Sequence, residues 1–156
     1  MGEFIATCLL VLLGVILVSA GIEDARKREI SNWKNGAIAA LALPWWLAIG
    51  VPFWPDIIGQ IGLAMLVFGI FAAAFHFGMM GGGDVKMIGA LALWLPFQPL
   101  MTMLIVMSLV GGAITLLMMI DARVRRQTAQ PEIPYGIAIA VATLLTIREP
   151  IFNHFA

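Results

Sequence analysis

The sequence predicts an all-α, polytopic membrane protein with about six transmembrane helices, and three observations predict it. Hydrophobic residues make up 62% of the 156 residues and charged residues 12%, with a mean hydropathy of +1.00. A water-soluble fold does not carry that balance. Uncharged stretches long enough to cross about 30 Å of hydrocarbon recur along the chain, and the Lys and Arg residues gather in the short segments between them.

The first stretch, Phe4 to Ile22, ends in Val18-Ser19-Ala20 and so imitates a secretory signal with a small-residue cleavage site. The charge order is wrong for one, because Glu3 precedes the apolar run while Arg26, Lys27 and Arg28 follow it. It reads as a retained first helix, with Cys8 a small core residue. Asn35 to Pro55 and Ile57 to Gly83 supply the second and third spans. The run from Met87 to Ile120 is too long for one crossing. Pro96-Phe97-Gln98-Pro99 divides it into a short piece, Val85 to Leu95, and a full span. Ile133 to Ile147 is the last. Together they make a single transmembrane domain over residues 1–156.

The side on which the basic residues lie decides whether the short piece crosses. With six spans Arg26, Lys27, Arg28, Lys34, Lys86, Arg123, Arg125 and Arg126 share the cytoplasmic face, and Arg148 alone is outside. With five spans the Arg123 cluster would be translocated. Eleven residues reach only about half of the hydrocarbon thickness, so Gly81-Gly82-Gly83-Asp84 is expected below the membrane surface. Irregular backbone is tolerated there in a buried, partly wet pocket.

Composition also excludes partners. Nine Lys+Arg balance nine Asp+Glu, leaving no basic excess to neutralise nucleic-acid phosphates. One cysteine permits neither an intramolecular disulfide nor a Cys-rich zinc site.

Ionisable groups at membrane depth are costly and mark functional sites. Asp24 lies at the cytoplasmic end of the first span and Asp84 at the cytoplasmic start of the fourth, so the topology brings them to one side at similar depth. Two carboxylates meeting in a low-dielectric cleft do not both ionise; one keeps a proton. Such a pair can activate water and protonate a leaving amine, the division of labour of aspartic peptide hydrolysis. Glycines lacking a Cβ let an extended substrate backbone approach the catalytic side chain. Asp84 also reads as a helix N-cap, a role compatible with the first, and Asp24 as a solvated partner of Arg28 at i+4, with Glu23 a rival carboxylate.

At these residues the chain resembles the type IV prepilin peptidases, intramembrane aspartic proteases of the Gly-x-Gly-Asp type. Asp24-x-Arg26-x-Arg28-x-Ile30-Ser31-Asn32 is similar to the family's first aspartate segment, which usually reads Ile-Pro-Asn where this chain has Ile30-Ser31-Asn32. Gly81-Gly82-Gly83-Asp84-Val85-Lys86 resembles the second aspartate motif, and Ile133-Pro134-Tyr135-Gly136-Ile137-Ala138 the Pro-Tyr-Gly segment that opens the last helix. The resemblance implies catalytic Asp24 and Asp84, a substrate approach shaped by Gly81, Gly82, Gly83 and Lys86, and no metal or other cofactor. It further implies removal of a prepilin or pseudopilin leader, just before the hydrophobic helix, at the cytoplasmic face of a bacterial inner membrane. Larger family members carry an additional region with paired cysteines and N-methyltransferase activity. This chain lacks it and is most similar to the short, peptidase-only CpaA/TadV branch that matures Flp-type pilins. Ser31 in place of proline is expected to alter the loop and spare the chemistry.

Lys86 reads as a snorkelling interfacial charge that could hold a substrate carboxylate. His76 reads as a core residue, Met79-Met80 and Met118-Met119 as gap fillers, and Trp33, Trp45, Trp46, Trp54 and Trp94 as interfacial anchors. Asp121, Arg123, Arg125 and Arg126 read as a solvated loop near anionic lipid. Pro134-Tyr135-Gly136 sets the entry angle of the last helix. Two other classes compete: a proton-coupled carrier or channel, which needs carboxylates distributed across the membrane, and a scaffold subunit, in which the aspartates have no shared purpose.

Overall fold

In hydrocarbon every backbone N–H and C=O has to be satisfied within the chain, which leaves an apolar sequence of this kind the helix as its local solution. The computed structural model describes residues 2–125 and 133–147, and within them the chain forms six α-helices: α1 (Gly2–Lys27), α2 (Asn32–Ala48), α3 (Ile58–His76), α4 (Gly82–Leu91), α5 (Phe97–Val124) and α6 (Tyr135–Thr146). A wound segment, Phe53–Ile57, leads directly into α3. Three helices are long and apolar enough to cross a membrane: α1, α3 with its lead-in, and α5. The protein is an all-α integral membrane protein. At 10 residues α4 is about 15 Å long.

Glycine decides where two helices stop. Gly50 and Gly78 both adopt φ +71°, and each closes a six-residue cap in which two N–H groups return to carbonyls of the last turn. Gly50 N and Val51 N donate to Leu47 O and Trp46 O; Gly78 N and Met79 N donate to Phe75 O and Ala74 O. The second and third helices therefore end at Ala48 and His76 rather than running to Pro55 and Gly83, because the flanking residues are apolar on both sides of each turn and conceal it. The first helix is longer than its uncharged stretch, continuing through Asp24 to Lys27. The fourth begins at Gly82, so Gly82 and Gly83 are helical.

Contacts run in opposite sequence directions along neighbouring helices. Gly2 meets Ala48 and Ser19 meets Lys34 between α1 and α2, Phe68 meets Gly89 and Phe75 meets Gly82 between α3 and α4, and Gly14 meets Leu144 and Gly21 meets Ala140 between α1 and α6. Each pair is antiparallel. The C-terminal ends of α1 and α3 thus lie beside the N-terminal ends of α2, α4 and α6.

The short α4 is held in place by side chains that satisfy backbone carbonyls. Gln60 donates to Ala92 O and Leu95 O at 2.6 and 2.7 Å, closing the C-terminal end of α4. Trp46 Nε1 donates to Leu93 O at 3.0 Å, Trp94 Nε1 to Ile38 O at 2.8 Å, and the rings of Trp45 and Trp94 stack at 5.4 Å. Trp45, Trp46 and Trp94 are therefore core clamps between α2 and α4; only Trp33 and Trp54 are exposed like anchors. Gln60→Leu leaves two buried carbonyls without donors. It is expected to destabilise the fold by about 1–3 kcal/mol per carbonyl, read as a lower midpoint in detergent unfolding.

Burial corrects other readings. Cys8 and His76 are exposed, not core, and Met79 and Met119 are largely exposed too, because positions facing lipid accept the same residues as a core. Lys34 is not a loop cation. It is 6% exposed, paired with Glu23 Oε2 at 2.9 Å and donating to Ser19 O at 2.9 Å. Asp121 and Arg123 lie in the last turns of α5 rather than in a loop, and Arg125, the C-cap, pairs with Asp121 at 2.8 Å, both exposed. Arg126 and Arg148 lie outside the described residues.

Candidate active site

The site assembles from helix ends. Asp24 stands in the last turn of α1, where the helix dipole opposes a negative charge, and its compensation comes from elsewhere. Gly136, near the start of α6, donates its N–H to Asp24 Oδ2 at 2.8 Å. A Cβ at position 136 would lie 2.9 Å from the Cβ, Cγ and Oδ2 of Asp24, so only glycine lets the helix end come this close. Arg28 contributes its backbone N–H to the Asp24 carbonyl at 2.9 Å rather than its guanidinium to the carboxylate. It has φ +57°, a left-handed conformation uncommon outside glycine. Beyond that turn Ile30 lies against Gly83 of α4, while Ser31 returns to Glu23 on α1.

Asp84 is the third residue of α4, and Gly81 is the N-cap, which corrects the capping assignment. Its carboxylate turns back toward Gly81, and the positive end of the α4 dipole favours a charge there. A Cβ on Gly81 would sit 2.9 Å from Asp84 Oδ2. Asp84 Oδ1 is buried and has no hydrogen-bond partner.

Both carboxylates are buried, Asp24 at 5% and Asp84 at 7% exposure, and both line one cavity of about 290 Å³ together with Arg28, Glu29, Ile30, Asn32 and Gly81–Gly83. That volume has room for several waters. The two side chains placed sixty residues apart in sequence are within electrostatic reach of each other. Glu23, the rival, is turned away. It accepts from Ser31 N at 3.2 Å and Ser31 Oγ at 2.7 Å and pairs with Lys34 and Lys27.

The serine that replaces the usual proline of the first motif thus makes two hydrogen bonds that proline, with no N–H or hydroxyl, cannot make. Gly83 serves the same loop: a Cβ there would meet Ile30 N at 3.3 Å. Asn35 Nδ2 bonds Gly83 O at 3.0 Å and steadies the start of α4. Lys86 is exposed and donates to Asn32 Oδ1 at 2.8 Å, at the edge of the cavity. Of the residues singled out from sequence, Asp24, Gly81, Gly82, Gly83 and Asp84 come together around one space, and Lys86 touches it through Asn32.

The sequence places Gly136 in the Pro-Tyr-Gly segment and gives it the entry angle of the last helix, with no part in the site. A backbone N–H donor leaves no side-chain signature; its one signal is a glycine directly after Pro134-Tyr135 at a helix start. Chemically, two buried carboxylates on a wet cavity can divide general-base and general-acid work on an amide.

The sequence model described as the type IV leader peptidase family matches residues 10–117, more than half of the chain. The match includes Asp24, the three glycines, Asp84 and Lys86, and stops before Gly136. No curated protein and no solved structure matches the chain.

Proposed function

The chain belongs to the type IV leader peptidase family, and from that premise we propose that it is an aspartic endopeptidase using Asp24 and Asp84 as its dyad. Its substrates are prepilins or pseudopilins of the Flp type, cut between leader and hydrophobic helix at the cytoplasmic face of a bacterial inner membrane. The observation that carries the reading is the single cavity lined by both buried carboxylates and by Gly81–Gly83.

In the proposed reaction a water in the cavity gives a proton to the ionised carboxylate as it attacks the scissile carbonyl. The other carboxylic acid protonates the carbonyl oxygen. Collapse of the tetrahedral intermediate passes a proton to the departing amine. Gly136 N–H orients Asp24 for this exchange, and the missing Cβ of Gly81 leaves room for the Asp84 carboxylate. Lys86 and the glycines meet the substrate backbone.

Two features support a peptidase without N-methyltransferase activity. Only residues 28–31 separate α1 from α2, leaving no inserted region there, and the chain has one cysteine. A carrier fits less well. Among the described residues the buried ionisable side chains are Asp24, Lys34 and Asp84, all toward one end of the bundle, while Asp56 at the other end is exposed.

Co-expression with a Flp-type prepilin in membranes tests the proposal. The expected result is a pilin whose N-terminal mass has lost the leader, with the leader fragment recovered from the cytosolic fraction. A full-length prepilin beside correctly inserted protein would refute it.

A further inference from the structure

A second, larger cavity adjoins the first. It is a groove of about 520 Å³ on the outside of the bundle, walled by α2, α3 and α4. Each helix contributes a face at i, i+3, i+4 and i+7, beginning at Asn32, Ile61 and Lys86, so the groove runs about two helical turns, or roughly 10 Å. Most of its wall is small or apolar, which in a membrane lets another helix backbone approach closely.

Two observations say what kind of occupant it fits. Asn32 lines both the groove and the aspartate cavity, so the two adjoin across this residue, with the Lys86–Asn32 hydrogen bond on their shared edge. Asn35, only 4% exposed, lines the groove, and its Oδ1 has no partner although its Nδ2 is bonded to Gly83 O. Asn32, Asn35 and Lys86 make the groove polar only at the end that meets the aspartate cavity, where an extended polypeptide needs polar partners and a lipid tail does not.

We propose that this groove between α2, α3 and α4 seats the apolar helix of the substrate and aims the peptide bond preceding it, past Asn32, at Asp24 and Asp84. The inference rests on the peptidase reading and adds where the substrate is held. It makes the groove a specificity surface: an apolar helix docks and the adjoining extended segment is cut.

Gly36 provides the test. It lines the groove, and a Cβ built there meets nothing within 4 Å, so Gly36→Leu fills the groove without disturbing the protein's own packing. Gly62 on α3 is equally open but does not line the groove, and Gly62→Leu is the control. Native protein and both variants, in vesicles and matched for thermal unfolding, are given a Flp-type prepilin and a short peptide that spans the same junction without the apolar helix.

The expected result is a KM for the prepilin raised about tenfold or more by G36L, the scale of forcing a side chain into occupied space, with kcat retained. The short peptide is cut at the native rate, and G62L behaves as native on both. Equal handling of both substrates by G36L and native protein overturns the groove and leaves the peptidase reading intact. So does an equal loss on both substrates, or retention of a phospholipid by native protein alone in intact-complex mass spectra with cleavage unchanged. Native protein that cuts neither substrate removes the peptidase reading and the groove with it.

Discussion

Asp84→Asn is expected to lower prepilin cleavage by about 10²–10⁴-fold, the range supplied by a positioned acid or base. Asp24→Asn is expected to do the same, with the double variant no worse than either, the signature of two carboxylates acting as one unit. Asparagine is the informative replacement. At position 24 its side-chain oxygen still accepts the N–H of Gly136, and at both positions the shape survives while the capacity to exchange a proton is lost. Single-turnover cleavage followed by mass spectrometry, with membrane insertion verified, is the measurement. Native-rate cutting by either variant would overturn the dyad.

The second large effect is expected at a residue that carries no side chain at all. Gly136→Ala places a methyl 2.9 Å from three atoms of Asp24, and the carboxylate has to move. Displacement of a catalytic group by about 1 Å costs on the order of 10²-fold in rate. Stability should move little, since alanine is the better helix former by about 1 kcal/mol and part of the clash is relieved by the Asp24 side chain rotating away. Gly112→Ala, where a Cβ meets nothing within 4 Å, should leave both activity and stability near native. Loss of kcat by G136A with an unchanged unfolding midpoint would identify position 136 as a positioning residue; loss of fold would show a packing role only.

The carboxylates were legible in the sequence because an apolar chain makes every ionisable residue conspicuous, and the alternation of spans puts Asp24 and Asp84 on one side. Helix ends were less legible. In soluble proteins polar residues announce the turns, whereas here Gly50 and Gly78 end helices inside runs that stay apolar on both sides. Burial was least legible of all. Hydrocarbon accepts the side chains that a core accepts, so Cys8, His76 and Met79 could not be placed from composition. Trp45, Trp46 and Trp94, whose ring N–H groups or flat faces suit an interface, were instead drawn inward by orphan carbonyls and by stacking. Glu23 and Asp24 are neighbours in sequence, and only the turn at Arg28 and the Ser31 donors separate one as a structural anion from the other as a cavity residue.

The bond between Gly136 and Asp24 joins residues 112 positions apart, and this gives the protein a timetable. A chain threaded into the membrane in order of synthesis presents Asp24 before Asp84, and both before the donor that orients Asp24. At roughly 5–20 residues per second the interval is on the order of ten seconds. In its later part, from Asp84 to Gly136, both aspartates are present without a finished site. The proposed dyad is therefore fully oriented only once α6 has docked against α1.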